Sequence, residues 1–205
     1  MSTEVVVGVR TEQRERTRTA LLDAAERLFA EQGYAAVGLP AVVAAAGVTK
    51  GALYHQFDGK AAVFAAVLER VQDRVGERVA EAADAEPGRW EQLLAGCLAF
   101  LDASTGPATA RIMLVDGPAV LGWQAWRELD ERASGRHLAE ALAGLIEVGE
   151  LAPQPVEPLA RLLSGAMNEL AVWLAGSADR TDSADSADRA AARAVLERTL
   201  AGLRT

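Results

Sequence analysis

Between Val48 and Phe57 the chain places Thr49, Lys50, Gly51, Tyr54 and His55 within seven residues and includes no acid. A helix that buries Leu53 against its neighbours turns these groups outward together. Such a face suits duplex DNA: the major groove admits an α-helix, lysine and threonine reach base edges, and helix N-terminal N–H groups favour phosphate oxygens. Gly51 lets the backbone come closer than a side chain would. Lys60, one turn into the next segment, adds a cation beside the same groove. The plainer alternative is that Tyr54 packs half-buried and His55 is merely solvated. Their adjacency to Lys50 and Lys60 argues for contact with a polyanion.

Other chemistries lack their parts. There is no phosphate loop, nucleophile elbow, metal-ligand pair or Cys/His dyad with usable spacing. Asp116, His137 and Cys97 make a triad only on paper, because helical placement gives them no reason to meet. A single cysteine cannot form an internal disulfide, and with two histidines, His55 and His137, it supplies no zinc-finger set. No metal, cofactor or enzymatic activity is expected. Cys97 sits on an apolar face with no basic neighbour, which favours an inert buried thiol over a redox sensor. His137 is expected at the surface.

The net charge of −8 argues against a nucleic-acid binder until it is divided along the chain. Residues 1–60 hold 7 Lys+Arg against 7 Asp+Glu, and residues 61–205 hold 14 against 22. Arg10, Arg14, Arg16 and Arg18 crowd the start, either as a solvated helix end or as an arm reaching the DNA backbone or minor groove. The longest apolar run, Leu39 to Val48, contains Pro40 and Gly47 and falls short of the roughly 20 residues that span a bilayer. With neither a membrane span nor a secretory signal in view, the protein is expected in the cytoplasm.

Half the residues are apolar, 5% are aromatic and β-branched types are sparse, so an all-α fold is expected. The stripe of Leu21, Ala25 and Leu28, flanked by Leu22 and Phe29, predicts a helix over about 14–32, capped by Gly33. Gly38 and Pro40 open a second helix over 39–46 that Gly47 ends. Thr49 then caps a third over 50–56, and Asp58 a long fourth that begins Val63, Phe64, Val67 and Val71. Leu39 to Phe57 thus has the parts of a helix-turn-helix, with Val42, Ala46, Val48 and Leu53 inward.

Beyond residue 61 more apolar helices follow. One carries Trp90, Cys97 and Phe100; a short one runs from Ala108 to Asp116 and is stopped by Gly117-Pro118. A longer one runs from Trp123 to about Val148, and a strongly apolar one carries Leu159 to Leu174. The last spans Ala190 to Leu203, after a Ser-Ala-Asp-rich stretch, Ser177 to Asp188, expected to be a mobile loop. Trp90, Cys97, Phe100, Met113, Trp123, Trp126, Met167 and Trp173 could line a cavity for a small apolar ligand, although plain core is the default for any one of them. Asn168 and Glu169 are unusual on so apolar a helix, and one of the two is expected to face a ligand or the dimer partner. The faces carrying Leu159, Leu163, Ala166 and Leu170, and Val195, Leu196, Leu200 and Leu203, are wide enough to serve a two-fold dimer seam as well as the protomer.

Arg14 to Lys60 resembles the tetracycline-repressor-like (TetR/AcrR) regulators, on Arg16-Thr17-Arg18, Ala24-Ala25, Leu28-Phe29, Gly33-Tyr34, Ala46-Gly47-Val48, the LYHQF of Leu53 to Phe57, and Lys60. Arg111 to Trp123, RIMLVDGPAVLGW, is similar to a stretch of one large subgroup. Gly38 and Leu39-Pro40 stand where that family usually has threonine or serine and no proline, so a phosphate contact there is expected to be missing. Val43 replaces a common alanine. The resemblance implies a helix-turn-helix head over residues 1–60 and a ligand-sensing, dimerising bundle over 61–205. It further implies a homodimer on a palindromic double-stranded operator, with Tyr54, His55 and Lys60 at phosphates and Thr49, Lys50 and Gly51 near bases. Repression relieved by a small apolar effector is the expected activity. The competing class is an interaction scaffold with a degenerate head, which salt-dependent DNA binding would separate.

Overall fold

The computed structural model describes residues 2–176 and 182–204, with side chains over 12–176 and 185–204. The described regular structure is helical apart from one isolated bridge between Leu151 and Arg204. The chain divides into two units, residues 1–69 and 70–205.

The first unit is built from α1 (Ser2–Gln32), α2 (Leu39–Ala46), α3 (Lys50–Tyr54) and the first turns of α4 (Lys60–Asp84). Leu21, Ala25 and Phe29 of α1, Val42 of α2 and Leu53 of α3 are sealed from solvent. Burying each of the larger ones contributes about 1.5–3 kcal/mol. Tyr34 and Phe64 meet Phe29 at ring-centroid distances of 5.8 and 5.3 Å, an aromatic cluster that closes α4 onto α1. Because Val63, Phe64, Val67 and Leu68 are buried in this way, the unit extends past the expected boundary at residue 60.

Gly33 and Gly47 end their helices at φ +79 and +65, where other residues are strained. Three expectations need correction. α1 starts at Ser2 rather than near Arg14, and α3 stops at Tyr54 with His55 as its C-cap. α4 starts at Lys60, and Gly59 at φ +113 precedes it with its carbonyl accepting the Val63 N–H, so Asp58 is not the cap.

The second unit holds the rest of α4, then α5 (Arg89–Ser104), α6 (Pro107–Ala110), α7 (Gly117–Leu121), α8 (Trp123–Asp130), α9 (Arg136–Glu147), α10 (Val156–Ala175) and α11 (Asp182–Ala201). Two π-helical turns, Arg111–Asp116 and Glu131–Gly135, join α6 to α7 and α8 to α9 without a break. Gly117-Pro118 therefore does not stop its helix. Pro118 has no N–H for a carbonyl one turn back and its ring crowds that carbonyl, and the widened turn before it relieves both problems. The stop comes at Gly122, φ +79. α11 begins within the stretch expected to be a loop, since 182–188 are helical; residues 177–181 lie outside the described residues.

Candidate nucleic-acid interface and a cavity in the second unit

The Thr49 hydroxyl accepts the Ala52 N–H at 3.1 Å and so satisfies one orphan donor of the first turn of α3. Thr49, Lys50, Gly51, Tyr54 and His55 are all exposed, Tyr54 at 52%, while Leu53 on the opposite side is at 0%. The Lys50 ammonium lies 5.8 Å from the Tyr54 ring centroid, so the two share one face. A Cβ placed on Gly51 would meet nothing nearer than the Thr49 hydroxyl at 3.9 Å. Folding alone therefore does not require glycine there. From below, the Gln56 side chain donates to the Arg14 carbonyl at 3.0 Å and ties the end of α3 to α1.

Lys60 stands differently from the rest. Half-buried, it lies 4.1 Å from the Tyr34 ring centroid and donates to the Ala35 carbonyl at 3.4 Å. To reach a phosphate it would have to give up a cation–π contact worth about 0.5–1 kcal/mol at an exposed site. Arg18 is similarly placed over Phe57 at 4.8 Å, whereas Arg14 and Arg16 are exposed, Arg16 beside Glu12 at 3.9 Å. Nothing in the sequence marked Tyr34 as the seat of Lys60. The side chain of Arg10 lies outside the described residues.

In the second unit, α4, α5, α9 and α10 with the turn at Ser134-Gly135 enclose a cavity of about 340 Å³. Leu93, Cys97, Phe100, Leu138 and Met167 form its apolar walls, and Gln92, His137 and Ser164 add polar edges. Cys97, Phe100 and Met167 were expected near a ligand. Burial pushes the Cys97 thiol up to about 12. His137, expected at the surface, is half-buried and lines the cavity.

The other residues read as ligand contacts stand elsewhere. Trp90 is buried under the Arg204 guanidinium at 4.6 Å. Met113 and Trp126 are in the core, joined by a hydrogen bond. Trp123, at 66%, and Trp173, at 40%, are exposed. Asn168 is 8% exposed with neither amide atom partnered among the described residues, one turn beyond Ser164.

A buried ion pair holds Ser164, one of the lining residues, a feature that reads in sequence as an ordinary surface pair at i, i+3. Arg127 Nη1 donates to Asp130 Oδ2 at 3.3 Å and to the Ser164 hydroxyl at 3.1 Å, and that hydroxyl donates to the same carboxylate at 3.3 Å. Burial raises the Asp130 carboxyl above its ordinary range, opposed by the Arg127 charge and the Ser164 hydrogen bond.

The residues expected at a dimer seam also divide. Leu159, Leu163, Leu196 and Leu200 are buried within the protomer, and Leu170 and Leu203 are half-buried. These helices cross inside the protomer, so half of each apolar face is taken up by its own core. Ala166 and Val195 are exposed, together with Leu162 at 69% and Val172 at 38%, which were not among the expected seam residues.

Comparison with known proteins agrees with the head. Residues 21–67 match the bacterial regulatory proteins of the tetR family, and residues 90–203 match the tetracyclin repressor-like C-terminal domain. A TetR-family transcriptional regulator from Pectobacterium atrosepticum is 34% identical, covering 95% of this chain and 97% of that one with a TM-score of 0.75. The HTH-type transcriptional regulator AcrR of Shigella flexneri is 40% identical over 58 residues, 28% of this chain and 27% of that protein. The transcriptional activator FasR of Mycolicibacterium smegmatis is 35% identical over 89 residues, 43% and 41% of the two chains. The chain thus spans well under half the length of these two curated relatives. Among the described residues no helix is long and apolar enough to cross a membrane. With family matches over both units, the chain belongs to the TetR family of DNA-binding transcriptional regulators.

Proposed function

We propose that this regulator is a cytoplasmic homodimeric repressor that occupies a palindromic operator and leaves it when a small, largely apolar effector fills the body cavity. The observation that carries the DNA part is the acid-free, exposed face of Thr49, Lys50, Gly51, Tyr54 and His55 on a capped, rigidly seated α3. Thr49, Lys50 and Gly51 stand nearest the helix start and are assigned to base edges, with Tyr54 and His55 at phosphates. Lys60 serves this face indirectly, through Tyr34 and the Ala35 carbonyl, unless bound DNA draws it away.

The dimer is assigned to the exposed side of α10 and α11, where Leu162, Ala166 and Val172 of one helix and Val195 of the other face solvent in the protomer. A two-fold seam uses the same patch from both copies, and heads so related read half-sites about 34 Å apart, or a multiple of that. The effector part rests on the 340 Å³ cavity, within the size range of small-ligand sites, and on Val79, Ala80 and Ala83 of α4 in its wall. Gly76 of the same helix meets the Ala133 backbone of the π-helical turn, with a built Cβ only 3.3 Å from that carbon. Filling the cavity can therefore bear on α4, and a hundredfold loss of operator affinity requires about 2.7 kcal/mol of coupling.

The test is selection of bound fragments from the source genome with purified protein, followed by titration at several salt concentrations. Recovery of a palindrome with steep salt dependence is the expected result; sequence-indifferent or absent binding would favour the scaffold reading.

A further inference from the structure

The cavity's walls differ in chemistry along its length. Deep inside, Leu93, Cys97, Phe100 and Met167 are each exposed by 4% or less. The Cys97 thiol is neutral there, and thiol, thioether and phenyl groups together form a soft, polarisable lining that suits a flat apolar body. Ser164, also in the lining and 6% exposed, has its hydroxyl engaged as acceptor from Arg127 and donor to Asp130. The buried part of the lining thus offers little to a polar group.

The solvent side of the lining is charged, because Asp84, Arg89 and Glu140 are exposed. α5 and α9 lie side by side, and Arg89, the first residue of α5, reaches across to α9 at Gly144. A Cβ built on Gly144 would stand 2.5 Å from Arg89 Nη1, so the absence of a side chain there clears the place the guanidinium occupies. Among the described residues no ion pair engages Arg89, although it borders the cavity. Two acids share the rim: Glu140 faces Arg136 at 3.9 Å, and Asp84 ends α4 in solvent. Neither has a fitted place of this kind.

We infer that the effector is a monocarboxylate with a compact apolar body, its carboxylate gripped by the Arg89 fork on the solvent side and its body seated among Leu93, Cys97, Phe100 and Met167. This rests on reading the cavity as the effector site. A planar guanidinium pairs with a carboxylate through two parallel hydrogen bonds, which fixes orientation as well as charge. A cavity of about 150 Å³ holds one benzene, so 340 Å³ has room for a body of about twice that size, on the order of twelve non-hydrogen atoms.

Calorimetric titration of the full-length protein with cinnamate, cinnamamide and cinnamylamine, which share one body and differ in head charge, tests this directly. Cinnamate is expected to bind about five- to tenfold more tightly than the amide, with the amine weakest. Arg89→Gln should bring cinnamate down to the affinity of the amide while leaving the amide's own affinity unchanged. Gly144→Ala, which pushes the guanidinium aside, should narrow the same gap, and thermal melts of both variants show that the fold survives. Equal affinity of acid and amide, or tighter binding of the amine at Asp84, would overturn the carboxylate assignment. Binding of none of the three would overturn it together with the cavity as an effector site, while ligand-free operator binding, measured in parallel, would be untouched. If cinnamate binds through Arg89 but leaves operator affinity unchanged, the head-group assignment stands and the release mechanism falls.

Discussion

The Trp126 indole N–H donates to the Met113 carbonyl at 2.7 Å inside the core of the second unit. That carbonyl stands five residues before Pro118, from which it can receive no π-type bond, so a side chain from the next helix supplies a donor instead. Gly117 leaves room for the ring: a Cβ there would lie 2.8 Å from Trp126 Cδ1. The proline in this helix, the π-helical turn before it and the tryptophan behind it are therefore one device, structural rather than ligand-binding.

Trp126→Phe keeps most of the ring but leaves the Met113 carbonyl buried without this donor, which should lower stability by about 1–3 kcal/mol. Gly117→Ala should do at least as much through overpacking, about 1–3 kcal/mol. Chemical denaturation checks both. A Trp126→Phe variant as stable as the parent would mean that the hydrogen bond contributes nothing.

Gly51→Ala separates folding from DNA contact. Because the fold accepts a methyl group there, the variant should be as stable as the parent or more so, by up to about 1 kcal/mol from helix propensity. On the proposed assignment of Gly51 to a base edge, operator affinity should nonetheless fall, because the methyl would stand between the helix and the groove. In the same assay Tyr54→Ala should weaken operator and random DNA alike, whereas Lys50→Ala should also relax base preference by roughly 1–3 kcal/mol. Each lost phosphate contact should lower the log–log salt slope by about 0.9. Unchanged operator affinity in Gly51→Ala would remove Gly51 from the interface.

For the dimer, exposed and buried leucines on one helix make opposite predictions. Leu162→Glu, on the 69% exposed side of α10, should leave the protomer folded and shift sedimentation toward monomer at low micromolar concentration. Leu163→Ala, at 3% exposure, should instead lower stability by about 2–5 kcal/mol through the cavity it leaves. A Leu162→Glu variant that sediments as a dimer would move the seam elsewhere.

The buried pair behind Ser164 should be dispensable only as a pair. Arg127→Met alone strands the Asp130 carboxylate and should cost about 3–5 kcal/mol, while Arg127→Met with Asp130→Leu should recover most of that. The pH dependence has a definite sign. Burial holds the Asp130 carboxyl above its ordinary value of 3.8, so the folded chain keeps its proton to higher pH than the unfolded chain. This group's contribution to stability is thus greatest below that value, declines as pH rises through the window up to the folded value, and then stays level. The unfolding free energy of the parent minus that of the double variant, measured by urea titration from about pH 3.5 to 7, should fall across the window. A rise would show that Arg127 dominates over burial.

Cys97 should be inert in the native protein. A thiol pushed to about 12 leaves roughly one molecule in ten thousand as thiolate at pH 8. Iodoacetamide should label it only after denaturation, and labelling of the native protein at the rate of a free thiol would show that the wall it lines is open.

The amino-acid sequence by itself determined the head. Glycines 33 and 47, the Thr49 cap and the period of Leu21, Leu28, Val42 and Leu53 act over one or two helical turns, and local signals of that kind survive in any tertiary context. The exposed face was legible for the same reason, because Thr49, Lys50, Gly51, Tyr54 and His55 come from one short helix and its two caps. What the tertiary structure decided lies between elements distant in sequence. Which half of an apolar face is core and which is free depends on the neighbouring helix, so Leu163 and Leu200 turned inward while Leu162 and Val195 stayed in solvent. Arg127 and Asp130, an ordinary helical pair in sequence, became a buried pair once α10 brought Ser164 onto them. The tryptophans that suggested a ligand site found other partners, and the cavity formed instead around Arg89, Leu93, Cys97 and Met167. Side-chain type and helical period set the chance that a residue is buried, but crossing angles and close glycine approaches, as at Gly76, Gly117 and Gly144, set what it is buried against.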